Sequence, residues 1–149
     1  MREVAVRMRT LQQSFDAFDE AAAAALGLNR TDLRCLDLIL AQEPMSAGEL
    51  TTAAKLSPAA TTTAIDRLER AGYVTRSRHA ANRRRVLVTA TEAARTAENE
   101  VYGPVGEAGM LALRRYDEQQ IAVIIDFLET ARQVQEEQTT RLKGLPAGG

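Results

Sequence analysis

The side chains of this chain with chemistry to offer gather in one stretch, and they are cationic and hydroxylic rather than nucleophilic. Between Lys55 and Arg85 stand eight basic residues (Lys55, Arg67, Arg70, Arg76, Arg78, Arg83, Arg84, Arg85) against two acidic ones, Asp66 and Glu69, a local charge of +6 in a chain whose total is −1. The remainder therefore carries −7. A solvated face normally mixes signs, so so one-sided a block is the electrostatic footprint expected for a polyanion, the alternative being an unusually basic surface loop. Within it lies Thr61-Thr62-Thr63. Threonines are poor helix formers, each roughly a few tenths of a kcal/mol worse than alanine, so stability alone does not explain the row. Arginine neutralises phosphate and releases counterions; threonine offers a hydroxyl to phosphate or base and a methyl to thymine.

Other chemistries lack their parts. One cysteine and one histidine allow neither an intramolecular disulfide nor an ordinary transition-metal site. No glycine-rich phosphate loop, carboxylate–histidine cluster or nucleophile–base pair is present, so neither an enzyme nor a cofactor is expected. Cys35 suggests an alternative, a redox-sensing regulator, but a reactive thiol needs an electropositive, accessible setting and Arg34 alone is slight support. His79 could tune binding through protonation, although a solvated loop histidine is the simpler reading.

The elements that must position these groups can be read from caps and periodicity. Ser57 is an N-cap type, Pro58 suits the first helical turn, and Gly72 suits the left-handed residue that closes a helix. Between them Thr61, Ile65 and Leu68 form the buried stripe, leaving Ala59, Thr62, Thr63 and Asp66 on a face no core requires. That face is the candidate reading surface; the alternative is a solvated helix face. Upstream, Ser46 and Glu49 make a capping box for a short helix carrying Leu50 and Ala53 inward. Two helices joined by about three residues form the helix-turn-helix pattern. After Gly72 the period changes: residues 73–78 and 85–90 are rich in β-formers, and 79–84 is a hairpin tip that places five arginines on one projection.

Flanking helices complete the plan. Val4, Met8, Leu11, Phe15, Phe18, Ala22 and Ala25 alternate steps of four and three, a seven-residue repeat whose narrow seam suits a partner subunit or its own domain. Gly27 ends this helix, and Asn29 caps the next, whose inner face is Leu33, Leu36, Ile39 and Leu40. Thr89 or Thr91 can cap a long helix from Glu92, in which Pro104 predicts a kink or a true break. Asp117 with Gln120 starts a last helix with Ile121, Ile124, Ile125, Leu128 and Ala131 on one side. At 149 residues, 45% apolar and 26% charged, the chain suits one soluble globular domain. No apolar run reaches the ~18 residues that cross a bilayer and no signal-peptide core opens the chain, so the expected compartment is the cytoplasm.

From Leu50 to Thr91 the sequence resembles the MarR family of bacterial transcription regulators, notably in Asp66-Arg67-Leu68-Glu69-Arg70-Ala71-Gly72-Tyr73-Val74, Arg76, Asn82-Arg83-Arg84 and Thr91-Glu92. The resemblance implies a mainly α fold with a small β wing: a winged helix-turn-helix over 29–92 between dimerisation helices at 1–28 and 110–143, with a disordered tail at 144–149. It implies a homodimer on a pseudo-palindromic double-stranded operator, acting as a repressor. Ser57, Ala59, Thr62, Thr63, Asp66, Arg67, Arg76, Arg83, Arg84 and Arg85 would meet DNA, with Arg84 at the minor groove. Val4, Met8, Leu11, Ile121, Ile124, Ile125 and Leu128 would form the dimer interface. Phe15, Phe18, Leu36 and Tyr102 would line a pocket for a small aromatic or phenolic effector. Thr63 stands where many members carry a DNA-contacting arginine, Asn82 where an acidic residue is usual, and Lys55 where a turn glycine is frequent. A winged helix used as a protein-interaction module is the competing class.

Overall fold

The computed structural model describes residues 2–78 and 86–145. Along them run α1 (Arg2–Ala25), α2 (Arg30–Gln42), β1 (Met45–Ser46), α3 (Ala47–Ala54), α4 (Pro58–Arg70), β2 (Val74–Arg78), β3 (Val86–Ala90), α5 (Glu92–Leu113) and α6 (Glu118–Lys143). The chain divides into two compact units, Met1–Gly103 and Pro104–Gly149.

In the first unit the helix ends are those the cap residues dictate. Asn29 accepts from the Asp32 amide, Ser46 and Glu49 bond reciprocally, and Ser57 accepts from the Ala60 amide with Pro58 opening α4. Gly27 and Gly72, at φ 67° and 80°, take the left-handed conformation that ends α1 and reverses the chain after α4. The strands form an antiparallel sheet in the order β1-β3-β2, with Met45 opposite Val88 and Val74 opposite Ala90. The two-residue strand β1 has no periodicity of its own; it becomes a strand because β3 offers it an edge.

Leu36 and Ile39 of α2, Leu50 of α3, Ile65 and Leu68 of α4, and Val74 and Val88 of the sheet close one core, each at most 1% exposed. A second cluster, Ala22, Ala23, Leu26 and Leu33, fastens the end of α1 to α2. Only these last turns of the α1 repeat are buried. Val4, Leu11 and Phe15 remain 48%, 50% and 61% exposed.

The second unit holds the end of α5 and all of α6. Asp117 and Gln120 form the capping box their spacing predicts. Helix α6 buries no residue completely, and Val123, Ile125 and Leu128 are 68%, 56% and 55% exposed. The break considered at Pro104 does not occur: α5 is one helix through it. A proline deletes a single donor, and a chain helical on both sides can continue past that loss.

Candidate nucleic-acid interface

Helices α3 and α4 are joined by Lys55, Leu56 and Ser57. Lys55 adopts φ 55°, ψ 43°, and its amide donates to the last turn of α3 at Thr51 and Thr52. A lysine in the left-handed region carries strain that glycine would not. Beyond the turn, Thr61, Ala64, Ile65 and Leu68 face inward, and the Thr51 hydroxyl donates to Thr61 Oγ1 at 2.9 Å, closing a polar seam between the helices. Ser57, Ala59, Thr62, Thr63 and Asp66 are exposed, as their spacing requires.

Behind that face a set of ion pairs holds the helix and wing in place. Arg67 donates from Nε and Nη2 to the two carboxylate oxygens of Asp32, at 2.6 and 2.7 Å. The Asp32 side chain is 2% exposed and that of Arg67 39%, so α4 is bolted to the first turn of α2 by a pair closed on one side and open on the other. The hydrogen bonds that Arg67 donates to Asp32 raise its pKa. Arg76 of β2 pairs with both Asp66 and Glu69 of α4. Glu43 accepts from the Ala90 amide and from Arg95, uniting the end of α2, the foot of the wing and α5. Burial opposes ionisation of Glu43, but bonds from Arg95 and Ala90 prevail and hold its carboxyl below the usual range. Thr91 Oγ1 donates to the Gly72 carbonyl at 2.7 Å and accepts from the Ala94 amide, so one hydroxyl closes the wing and caps α5.

The sequence-predicted residues thus separate. Ser57, Ala59, Thr62 and Thr63 share the open face. Arg67, Arg76 and Asp66, also expected at DNA, are ion-paired within the fold, Arg67 with Asp32 and Arg76 with Asp66 and Glu69. Arg83, Arg84, Arg85, His79 and Asn82, and the tail residues 146–149, lie outside the described residues.

Of the four residues expected to line an effector pocket, Leu36 is 1% exposed inside the core and has no surface for a ligand, and Phe15 stands 61% exposed. Phe18 and Tyr102 pack with ring centroids 5.6 Å apart, and the buried Tyr102 hydroxyl has no hydrogen-bond partner among the described residues. Cys35 is fully buried, and burial, followed by the neighbouring Asp32, pushes its thiol up. That is the opposite of a reactive thiol. A cavity of about 290 Å³ opens instead between α1, α2 and the end of α3, with Asp19, Arg30, Arg34 and Asp37 around an apolar floor of Leu33, Ala54 and Leu56. Burial, then the charges of Asp19 and Glu98, push Asp37 up to about 6. The residues missed from sequence are Asp32, Glu43 and Arg95, whose ion-pair partners lie far along the chain, and Asp37, whose carboxyl is raised by burial and by the distant acids Asp19 and Glu98. Asp32 alone carried a signal, as an acid in the first turn of α2.

A capped helix-turn-helix, a three-stranded antiparallel sheet at its side and a helix returning from the wing define a winged helix. The MarR family model matches residues 28–86. An uncharacterized HTH-type transcriptional regulator of Bacillus subtilis (strain 168), YcgE, is 39% identical over 126 residues, covering 85% of this chain and 82% of the relative. The chain belongs to the MarR family of transcriptional regulators, which are DNA-binding proteins and not enzymes. Two solved structures share the fold at low identity. YusO of Bacillus subtilis is 17% identical with a TM-score of 0.66, covering 89% of this chain and 94% of its own. A MarR transcriptional regulator from Methanosarcina mazei Go1 is 20% identical with a TM-score of 0.65, covering 92% and 99%.

Proposed function

We propose that this regulator is a homodimeric, cytoplasmic repressor that grips a pseudo-palindromic operator with two winged helices and releases it when a small molecule binds. The observation that carries the reading is the exposed face of α4, capped at Ser57 and backed by ion pairs, on which Ala59, Thr62 and Thr63 stand outside the core. The arginines at 83–85 supply the charge for the adjoining phosphates and minor groove. The exposed apolar residues of α1 and of α6 support dimerisation, since faces such as Val4–Leu11 and Ile125–Leu128 normally meet a partner. The cavity bounded by Asp19 and Asp37 supports an effector site, made polar by four charged side chains.

Affinity for the promoter beside its own gene, measured at several salt concentrations, tests the reading. Sequence-selective binding that weakens steeply with salt, abolished in Arg84→Ala with the oligomer intact, is the expected result. Affinity indifferent to sequence and salt would sink it. A reporter driven by that promoter gives the sign of regulation, and sedimentation of a Val4→Glu/Leu11→Glu variant, expected as monomer, checks the assembly.

A further inference from the structure

The surface that meets the major groove is unusual in what it lacks. From Pro58 to Ile65, the turns of a reading helix that approach base edges, no side chain carries a charge or an amide. The side chains that make bidentate contacts with guanine or adenine are therefore missing where they would be used. The arginines of α4 lie in its last turn, where Arg67 is bound to Asp32 and Arg70 donates to the Asp66 carbonyl. Asp66, the acid nearest the open face, is neutralised by Arg76.

The remaining polar groups are spent as well. Thr62 Oγ1 donates to the Pro58 carbonyl and Thr63 Oγ1 to the Ala59 carbonyl, each at 3.0 Å. Ser57 Oγ is the cap that accepts from the Ala60 amide. With the threonine protons committed inside the helix, what each side chain offers outward is a methyl group and an oxygen lone pair. Ala59 offers only a methyl. Among the base edges of the major groove, the one with an apolar feature is thymine, through its 5-methyl group.

We infer, resting on the DNA-binding reading above, that α4 selects its site through the methyls of Ala59, Thr62 and Thr63 packed on thymine methyls, and not through hydroxyl donors. This departs from the expectation that the threonine hydroxyls take part in readout. It also gives the threonine row a purpose: a branched side chain held in one rotamer by its own back-bond presents a rigid methyl at low entropic cost.

The test uses the full chain and duplexes it enriches from a random-sequence pool. In the enriched duplex, thymines are replaced one at a time by uracil, which removes the methyl and leaves base pairing intact. Uracil at the positions facing α4 should weaken binding about fourfold per methyl, the value of one buried methylene-sized group. Thr62→Val and Thr63→Val, which keep the methyl and lose the hydroxyl, should bind within about twofold of wild type, whereas the serine variants should lose about fourfold. In the serine variant facing a given thymine, uracil at that position should cost correspondingly less. These side chains are exposed, so unchanged thermal unfolding is expected for all four variants. Indifference to uracil at every position, or valine variants that fall as far as the serine ones, overturns the inference while leaving DNA binding standing. A pool that yields no enriched sequence overturns both.

Discussion

Replacing Arg67 by methionine keeps the length and apolar stem of the side chain and deletes the guanidinium. Asp32 would then hold a carboxylate at 2% side-chain exposure, without the two bonds at 2.6 and 2.7 Å that satisfy it. Stripping one partner from a buried pair costs about 3–5 kcal/mol. Because Arg67 is 39% exposed, water can reach part of the vacated space and the low end, about 3 kcal/mol, is the appropriate figure. For a chain of this length that corresponds to a fall in Tm of roughly 6–12 °C. Urea unfolding followed by circular dichroism at neutral pH measures it, with protomer concentration held fixed because association adds to apparent stability. The companion Asp32→Leu/Arg67→Met variant removes both charges and should recover most of the loss. A single variant within about 1 kcal/mol of wild type, or a double variant no better than the single, would refute the assignment of Arg67 as the bolt between α2 and α4. Operator binding supplies an independent check. A positioning residue lowers affinity without altering its salt dependence, whereas a phosphate contact reduces the salt slope by about one.

Two further outcomes follow from local geometry. Asp37→Asn should stabilise the protein at neutral pH: its folded pKa of about 6 lies above the unfolded value, so its ionisation costs stability as pH rises through that window. The residue is exposed to solvent, which screens the effect and limits the gain to at most about 1 kcal/mol, and the gain should vanish below about pH 4 in unfolding titrations. Lys55→Gly should raise stability by about 1 kcal/mol by relieving the left-handed lysine at φ 55°, as read by the urea midpoint; a decrease would mean the lysine stem contributes packing that outweighs the strain.

The parts of the fold legible in the sequence are those specified within a few residues. Asn29, Ser46 with Glu49, Ser57 with Pro58, and Asp117 with Gln120 each bond to an amide three positions away, so their helix starts could be read directly. The exposed face of α4 followed from the same logic, since its period is set by the helix. The pairs that tie elements together were not legible: Arg67 finds Asp32 across 35 residues, and Arg95 finds Glu43 across 52. An arginine in a basic block has the signature of a DNA contact, and nothing local shows the acid that pairs with it from another element, as Asp32 does with Arg67 and Asp66 with Arg76. Leu36 was open to both core and pocket because a leucine on a helical stripe has the same signature in each. Strand β1 escaped because two residues contain no period at all.

The joint at Glu43 sets a rule for anyone who would transplant this reading head. One carboxylate receives the Ala90 amide of the wing and the Arg95 guanidinium of α5, so the first turn of α5 is a structural member of the head and not the beginning of a linker. A chimera spliced at Thr91, where the strand visibly ends, would sever that member and leave Glu43 with half its partners. The splice belongs beyond Tyr102, because Ala97, Val101 and Tyr102 of α5 also pack, with Tyr73, against the cluster that joins α1 to α2.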